Sequence, residues 1–210
     1  MVLALLGLAL VIANIHNTSK QQAHLQNVKS AIPYATTPKT TTSSTSSSSD
    51  EELILNPIID LSGWQLPQDI DYDVLSNHIS GAIVRVFGGS QISKDSNAAS
   101  SNGVDKSFKT HIKELKKRDV PVAVYSYAQG TSVKEMKEEA RIFYKNASPY
   151  KPTYYWIDVE EETMPNMEEG VQAFLAELKR LGADKVGLYI GAYFMLEQEV
   201  STRNFDAVWI

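Results

Sequence analysis

Residues 154–160 read Tyr-Tyr-Trp-Ile-Asp-Val-Glu (YYWIDVE), a run of β-prone residues that ends on two carboxylates. Side chains alternate along a strand, so the odd-numbered residues 155–159 would share one apolar face. Trp156, Asp158 and Glu160 would share the other face, with the Cα atoms of the two acids about 6.5–7 Å apart. The stretch therefore predicts a strand that is covered on one side and carries polar groups on the other.

Five further β-rich runs flank this one, and helical patterns separate several of them. The predicted strands are residues 54–60, 82–87, 120–127, 154–159, 186–190 and 207–210. Apolar residues at helical spacing predict helices in residues 108–115, 133–143 and 167–181, the last one ending at Gly182. Strand–helix alternation indicates an α/β protein with a parallel sheet, either a TIM-like barrel or an open doubly wound sheet. No glycine-rich phosphate fingerprint follows a strand, which argues against a nucleotide site.

The N-terminal quarter of the chain differs in composition from the rest. Residues 2–15 are almost entirely apolar, but they are fewer than the roughly 20 that span a membrane. We interpret residues 1–18 as a signal peptide or a short membrane anchor, although no Lys or Arg precedes the apolar run. Residues 19–52, rich in Ser and Thr, predict a disordered linker, and residues 53–210 the folded domain. The expected location is secreted or attached to the outer face of the membrane.

Composition excludes several classes of function. The net charge of −5 gives no basic footprint for nucleic acid, and the absence of cysteine rules out disulfides, thiolate metal sites and a cysteine nucleophile. No cofactor is expected.

Carboxylates end two of the predicted strands. Asp60 closes the first, in Ile-Ile-Asp-Leu-Ser-Gly-Trp-Gln (58–65), and Asp158 and Glu160 close the fourth. In parallel α/β folds the carboxyl ends of strands carry function. Converging carboxylates beside aromatic residues suit glycoside hydrolysis, in which one acid is protonated and another is ionised.

The same acids also allow interpretations without a catalytic role. Asp158 and Glu160 could simply cap a loop, and the following Glu161 and Glu162 are expected to be solvated. Oxygen ligands can also hold Mg²⁺ or Ca²⁺, but no further carboxylate or histidine cluster supports a metal site, because the four histidines are scattered along the sequence.

Several short motifs occur in an order that resembles the family 25 glycoside hydrolases, the Chalaropsis-type lysozymes. They are Asp60-x-Ser62-x-Trp64-Gln65, the Tyr125-Ser-Tyr127 strand, Trp156-Ile-Asp158-Val-Glu160, Gly187-Leu-Tyr189 and Asp206-Ala-Val-Trp209, together with the spacing of Asp105, Phe108 and His111. The resemblance covers residues 53–210.

The resemblance implies an irregular TIM-like barrel that cleaves the β-1,4 bond between N-acetylmuramic acid and N-acetylglucosamine. It implies that Glu160 is the general acid, and that Asp158 orients the substrate acetamide or stabilises the positive centre, with Asp60 completing the acidic floor. The residues implied to bind substrate are Tyr125, Tyr127, Tyr189, Trp209 and Gln65. Core packing is the alternative for the aromatic residues. The expected partner is the glycan strand of peptidoglycan, and the protein is expected to be a monomer.

Three departures from the family pattern stand out. Ser126 replaces a common histidine, and the second strand carries Arg85 followed by a polar stretch at 90–102. The chain also ends at Ile210 inside a predicted strand, where the family continues with a further strand and acid. We therefore expect a barrel that is incomplete at its C-terminal end, with lower stability and activity than a longer chain.

Three other functions compete with a wall hydrolase. They are a non-catalytic cell-wall binding module, another barrel glycosidase such as a chitinase-like enzyme, and a surface structural protein. The presence of all three carboxylates argues against the first, and the spacing Asp158-x-Glu160 offers fewer acids than the second usually has. Only the Ser/Thr-rich segment supports the third.

Overall fold

The structure is a computed structural model, and it describes residues 56–210. Six strands alternate with helices along this part of the chain. The strands are β1 (Ile58–Leu61), β2 (Gly81–Phe87), β3 (Val122–Tyr127), β4 (Tyr155–Val159), β5 (Val186–Ile190) and β6 (Ala207–Trp209). The helices are α1 (Tyr72–Ser76), α2 (Phe108–Lys116), α3 (Val133–Ala147), α4 (Met167–Leu181) and α5 (Ala192–Glu197).

All six strands are parallel and lie in the sheet in the order of the sequence, from β1 to β6. A doubly wound sheet would reverse its order at a switch point, so that alternative is wrong. Residues of the two outermost strands, Asp60 and Trp209, line the same cavity. The sheet is therefore curled into a half-barrel, with a concave inner face and a convex outer face.

Helices cover the convex face and form the core with it. On β4, Tyr155, Ile157 and Val159 are all buried, which confirms the predicted alternation. Tyr155 packs against Phe143 and Tyr144 of α3 at ring-centroid distances of 5.8 and 5.5 Å. This packing leaves the other face of the strand free to line the concave side.

Capping side chains set the start of two of the long helices, and a glycine sets the end of one. The Ser132 side chain accepts a hydrogen bond from the Glu135 backbone amide at the start of α3, and Asn166 caps α4 by accepting from Glu169. Gly182 ends α4 with φ of 104°, a left-handed conformation that favours glycine. All three predicted helices are confirmed.

The structure corrects some predicted bounds. β1 begins at Ile58, directly after Pro57, and β3 begins at Val122 because Pro121 has no amide to donate to the ladder. β6 ends at Trp209. The predictions for residues 1–18 and 19–52 lie outside the described residues. Within 56–210, no helix is both long and apolar enough to cross a membrane.

Candidate active site

The concave face of the sheet encloses a cavity of about 380 Å³. Its walls come from all six strands, and the three acids lie near or just beyond the carboxyl ends of their strands, where function is expected in a parallel fold. The lining residues are Asp60, Ile83, Arg85, Tyr125, Tyr127, Trp156, Asp158, Glu160, Tyr189 and Trp209.

Strand register explains why these side chains meet. Tyr127 on β3 is level with Asp158 on β4, which is level with Tyr189 on β5 and then Trp209 on β6. Asp60 reaches the same cavity from β1. The structure thus brings together all three acids that the sequence singled out.

Asp158 is the buried member of the acidic group, with 8 % of its surface exposed. Burial raises the pKa of Asp158 to about 8, and the nearby carboxylates of Glu160 and Asp60 add to the rise. Within the described residues, its Oδ1 atom has no hydrogen-bond partner. Burial therefore favours the neutral form of the Asp158 carboxyl in the free protein, and its Oδ1 offers an unused acceptor to a ligand.

Asp60 and Glu160, in contrast, are exposed to solvent at the cavity. Glu160 lies just beyond the end of β4 and close to Tyr189. Burial, and then the Glu160 charge, raise the pKa of the Tyr189 hydroxyl. The acids thus occupy two environments, one buried and two open. Such a contrast is what separates the protonation states of neighbouring carboxyls.

Aromatic side chains form one wall of the cavity. Trp209 meets Trp156 and Tyr189 edge to face, at centroid distances of 6.3 and 5.5 Å. Tyr125, Tyr189 and Trp209 line the cavity, so they are not core residues. Their role in binding sugar stays a prediction.

Gly187 makes room for the Trp156 ring. A Cβ atom at position 187 would lie 2.5–2.7 Å from three carbon atoms of the Trp156 indole. The two residues are register partners on β4 and β5. The absence of a side chain at 187 therefore lets the indole lie across the neighbouring strand.

Substituting Gly187 by Ala should displace Trp156 and lower the free energy of unfolding by about 1 to 3 kcal/mol, as overpacking does. We expect a changed near-ultraviolet circular dichroism spectrum and weaker ligand binding. Gly81→Ala is the matched control, because a Cβ there meets its nearest atom at 3.4 Å. Equal spectra and stability for the two variants would show that Gly187 does not position the indole.

Among the described residues, Arg85 is the one cation that lines the cavity, and its pairing with Asp105 was not predicted. Arg85 Nε donates to Asp105 Oδ2 at 3.0 Å. Asp105 is buried and also accepts from the backbone amide of Gly63 at 2.7 Å, which fixes the turn after β1. In the same turn, a Cβ at Gly63 would lie 2.1 Å from the Ala98 carbonyl oxygen, so the 90–102 stretch packs directly on it.

Gln65 does not line the cavity. Its Oε1 accepts from the Ser62 backbone amide at 2.9 Å and from the Ser62 hydroxyl at 3.1 Å, so it stabilises the turn after β1. Its role in binding substrate stays a prediction.

Tyr127 lines the cavity, and its hydroxyl donates to Glu161 at 2.9 Å. Glu161 and Glu162 are both exposed, as expected, and Glu162 also accepts a hydrogen bond from Gln198.

His111 is buried in the core, away from the cavity. Its Nε2 lies 3.1 Å from the Ser62 carbonyl oxygen and its Nδ1 lies 2.6 Å from the Tyr72 hydroxyl. Since a carbonyl only accepts, Nε2 carries the proton and Tyr72 donates to Nδ1. Burial lowers the His111 pKa, in keeping with a neutral ring that anchors the turn after β1. Among residues 56–210, no group of three or more His, Asp or Glu side chains is arranged to hold a metal ion.

Comparisons with known proteins agree with this geometry. The family model described as glycosyl hydrolases family 25 matches residues 59–210, which include every residue of the cavity wall. No curated protein matches the chain.

Several solved structures are similar to this chain. GHIP, described as a glycosyl hydrolase 25 of Streptococcus pneumoniae participating in host cell invasion, is 56% identical with a TM-score of 0.72, covering 74% of this chain and 67% of its own. The catalytic domain of endolysin ply40 from bacteriophage P40 of Listeria monocytogenes is 25% identical with a TM-score of 0.58, covering 69% of this chain and 68% of its own. The modular autolysin LytC of S. pneumoniae, at 22% identity and a TM-score of 0.53, covers 66% of this chain and 33% of its own, and shares the fold.

The family match extends over more than half of the chain, and GHIP exceeds half identity over nearly three quarters of it. Both agree with a curled parallel sheet that places three carboxylates in one aromatic-walled cavity. This chain belongs to the glycosyl hydrolases of family 25.

Proposed function

We propose that this glycoside hydrolase acts on peptidoglycan and cleaves the β-1,4 bond between N-acetylmuramic acid and N-acetylglucosamine. The observation that carries the proposal is the pairing of buried Asp158 with solvent-facing Glu160 inside an aromatic-walled cavity. The endolysin among the relatives supports a cell-wall substrate.

Glu160 is the general acid in this mechanism. It is exposed at the cavity, where a glycosidic oxygen can reach it, and it is the last acid of the strand-end motif. Proton donation to the leaving oxygen lets the bond break through an oxocarbenium-like transition state. The same carboxylate then removes a proton from the attacking water.

Asp158 orients the acetamide of the bound muramyl residue. Its partnerless Oδ1 can accept the acetamide N–H, and such a hydrogen bond favours the ionised carboxyl. Asp60 completes the acidic floor of the cavity and stabilises the positive charge that develops on the sugar.

Aromatic residues bind the sugar rings. Trp209 is 40 % exposed at the cavity, and Tyr125, Tyr127 and Tyr189 complete the wall. Flat apolar faces with a polar edge suit sugars, which present C–H groups and hydroxyls together. Gln65 would reach the substrate only if it left Ser62.

A turbidity assay tests whether the protein is a wall hydrolase. Purified peptidoglycan incubated with the protein should clear and release soluble fragments that carry new reducing sugars. Clearing without new reducing sugars would indicate cleavage of peptide bonds and would overturn the proposal.

We also propose that residues 53–210 are the catalytic domain, and that residues 1–52 direct it out of the cell and tether it. Removing residues 1–50 should leave the melting temperature and the kcat/KM on soluble wall fragments unchanged, because a Ser/Thr-rich segment has little apolar surface to pack. Thermal melts and fragment assays on both lengths make the comparison. A large fall in either quantity would contradict the tether.

A further inference from the structure

Arg85 occupies an unusual place in the cavity wall. It lies on β2, level with Tyr125 on β3, and its side chain is only 14% exposed. Along the register, Tyr125 is level with Trp156 on β4, and Asp158 lies two residues beyond Trp156. The Cα atoms of Arg85 and Asp158 are therefore roughly 12 Å apart. A cation is thus built into the same cavity wall as the acids.

Asp105 holds the Arg85 side chain in place through only one of its three guanidinium nitrogens. The Asp105 carboxylate also accepts from the backbone amides of Gly63, Ser107 and Phe108, at 2.7, 2.8 and 3.1 Å. Only the Nε of Arg85 binds it, at 3.0 Å. Within the described residues, the two Nη atoms form no hydrogen bond to protein. The guanidinium is therefore held in one orientation with its outer donors available.

The chemistry of those donors defines the ligand. A guanidinium with two free nitrogens binds a carboxylate in a bidentate manner, with charge-assisted hydrogen bonds. Muramic acid differs from glucosamine by a lactyl ether at O3 that ends in a carboxyl group. Where no peptide is attached to it, that carboxyl is the anion of the glycan, and it projects from the ring some way from the bond to be cut.

We propose that Arg85 binds the lactyl carboxyl group of the muramyl residue and so selects it over glucosamine. This inference rests on the proposed function, because it assumes that a muramyl residue occupies the cavity. Arg85 then acts in specificity and not in bond cleavage. A free carboxylate is bound more tightly than a carboxyl in amide or ester linkage, which has lost its charge.

Calorimetry with the disaccharide N-acetylglucosaminyl-N-acetylmuramic acid and its methyl ester tests the inference. This disaccharide lacks the bond that we propose is cut, so binding is measured without turnover. The unmodified protein should bind the acid roughly 10- to 100-fold more tightly than the ester, as expected for hydrogen bonds to a charged group. Arg85→Met should abolish this difference, and Arg85→Lys should retain part of it.

Arg118→Met is the matched control, because Arg118 is 18% exposed, pairs with Asp73 and Glu114, and lies outside the cavity wall. It should leave the acid-to-ester ratio unchanged. Equal binding of acid and ester by the unmodified protein, or binding of neither, would overturn the inference even if the wall is hydrolysed. Selective binding of the acid through Arg85 by a protein that cuts no glycan would instead refute the proposed function alone.

Discussion

Replacing Glu160 by Gln should lower kcat on peptidoglycan by about 10²- to 10⁴-fold, the contribution of a positioned general acid. Gln has nearly the same shape but has no acidic proton for the leaving oxygen. Because Glu160 is exposed and no core contact depends on its charge, folding and wall binding should be nearly unchanged. Initial rates of fragment release and thermal melts measure the two effects separately.

Glu162→Gln supplies the control for this prediction. Glu162 lies two residues further along, is exposed, and accepts a hydrogen bond from Gln198 outside the cavity. It should retain the unmodified kcat. A Glu160→Gln protein that turns over at the unmodified rate would remove Glu160 from the role of acid.

Replacing Asp158 by Asn should have two opposite effects, loss of turnover and gain of stability. Turnover should fall by about 100-fold or more, because a misplaced acetamide no longer meets the reacting carbon. Stability should rise above pH 4, because the neutral Asn removes a carboxyl whose ionisation burial and the neighbouring acids Glu160 and Asp60 oppose.

The sign of the pH dependence follows from the two pKa values of Asp158. The pKa of the carboxyl is 3.8 when it is freely solvated, as in the unfolded chain, and about 8 in the folded protein, so folding takes up a proton between these values. The unmodified protein therefore loses stability as the pH rises from about 4 to 8. The Asn variant keeps the stability that the unmodified protein loses through ionisation of Asp158. The difference should approach about 5 kcal/mol at pH 8 and vanish below pH 4.

Thermal melts of both proteins at pH 4, 6 and 8 measure that difference. A gap in melting temperature that widens with pH supports a buried, neutral Asp158. A constant gap, or one that narrows toward pH 8, would show that Asp158 is ionised in the folded protein at neutral pH.

Much of the fold was predictable because its signals are local. Apolar runs marked all six strands, and apolar residues at helical spacing marked the three long helices. The helices Tyr72–Ser76 and Ala192–Glu197 are too short to show a helical period, so no comparable pattern indicated them. The choice between barrel and doubly wound sheet depends on strand order, which no local pattern encodes.

Parts of the site were likewise predictable from local patterns, and other parts were not. Alternation along one strand and the carboxyl ends of parallel strands predicted that Asp60, Asp158 and Glu160 would converge. The link between Arg85 and Asp105 spans twenty residues and depends on how the intervening loop packs, so sequence spacing could not reveal it. Likewise, Gln65 sits in a motif with the acids, but its hydrogen bonds to Ser62 hold it in the turn outside the cavity wall.

Identifying the new reducing end tests the central claim most directly. Purified peptidoglycan is digested to completion with the protein, the products are reduced with borohydride, and mass analysis identifies which sugar has become an alditol. The proposed mechanism predicts muramitol at the new ends, and none in a parallel digest with the Glu160→Gln protein. Glucosaminitol at the new ends would contradict the claim, because the enzyme would then be a glucosaminidase.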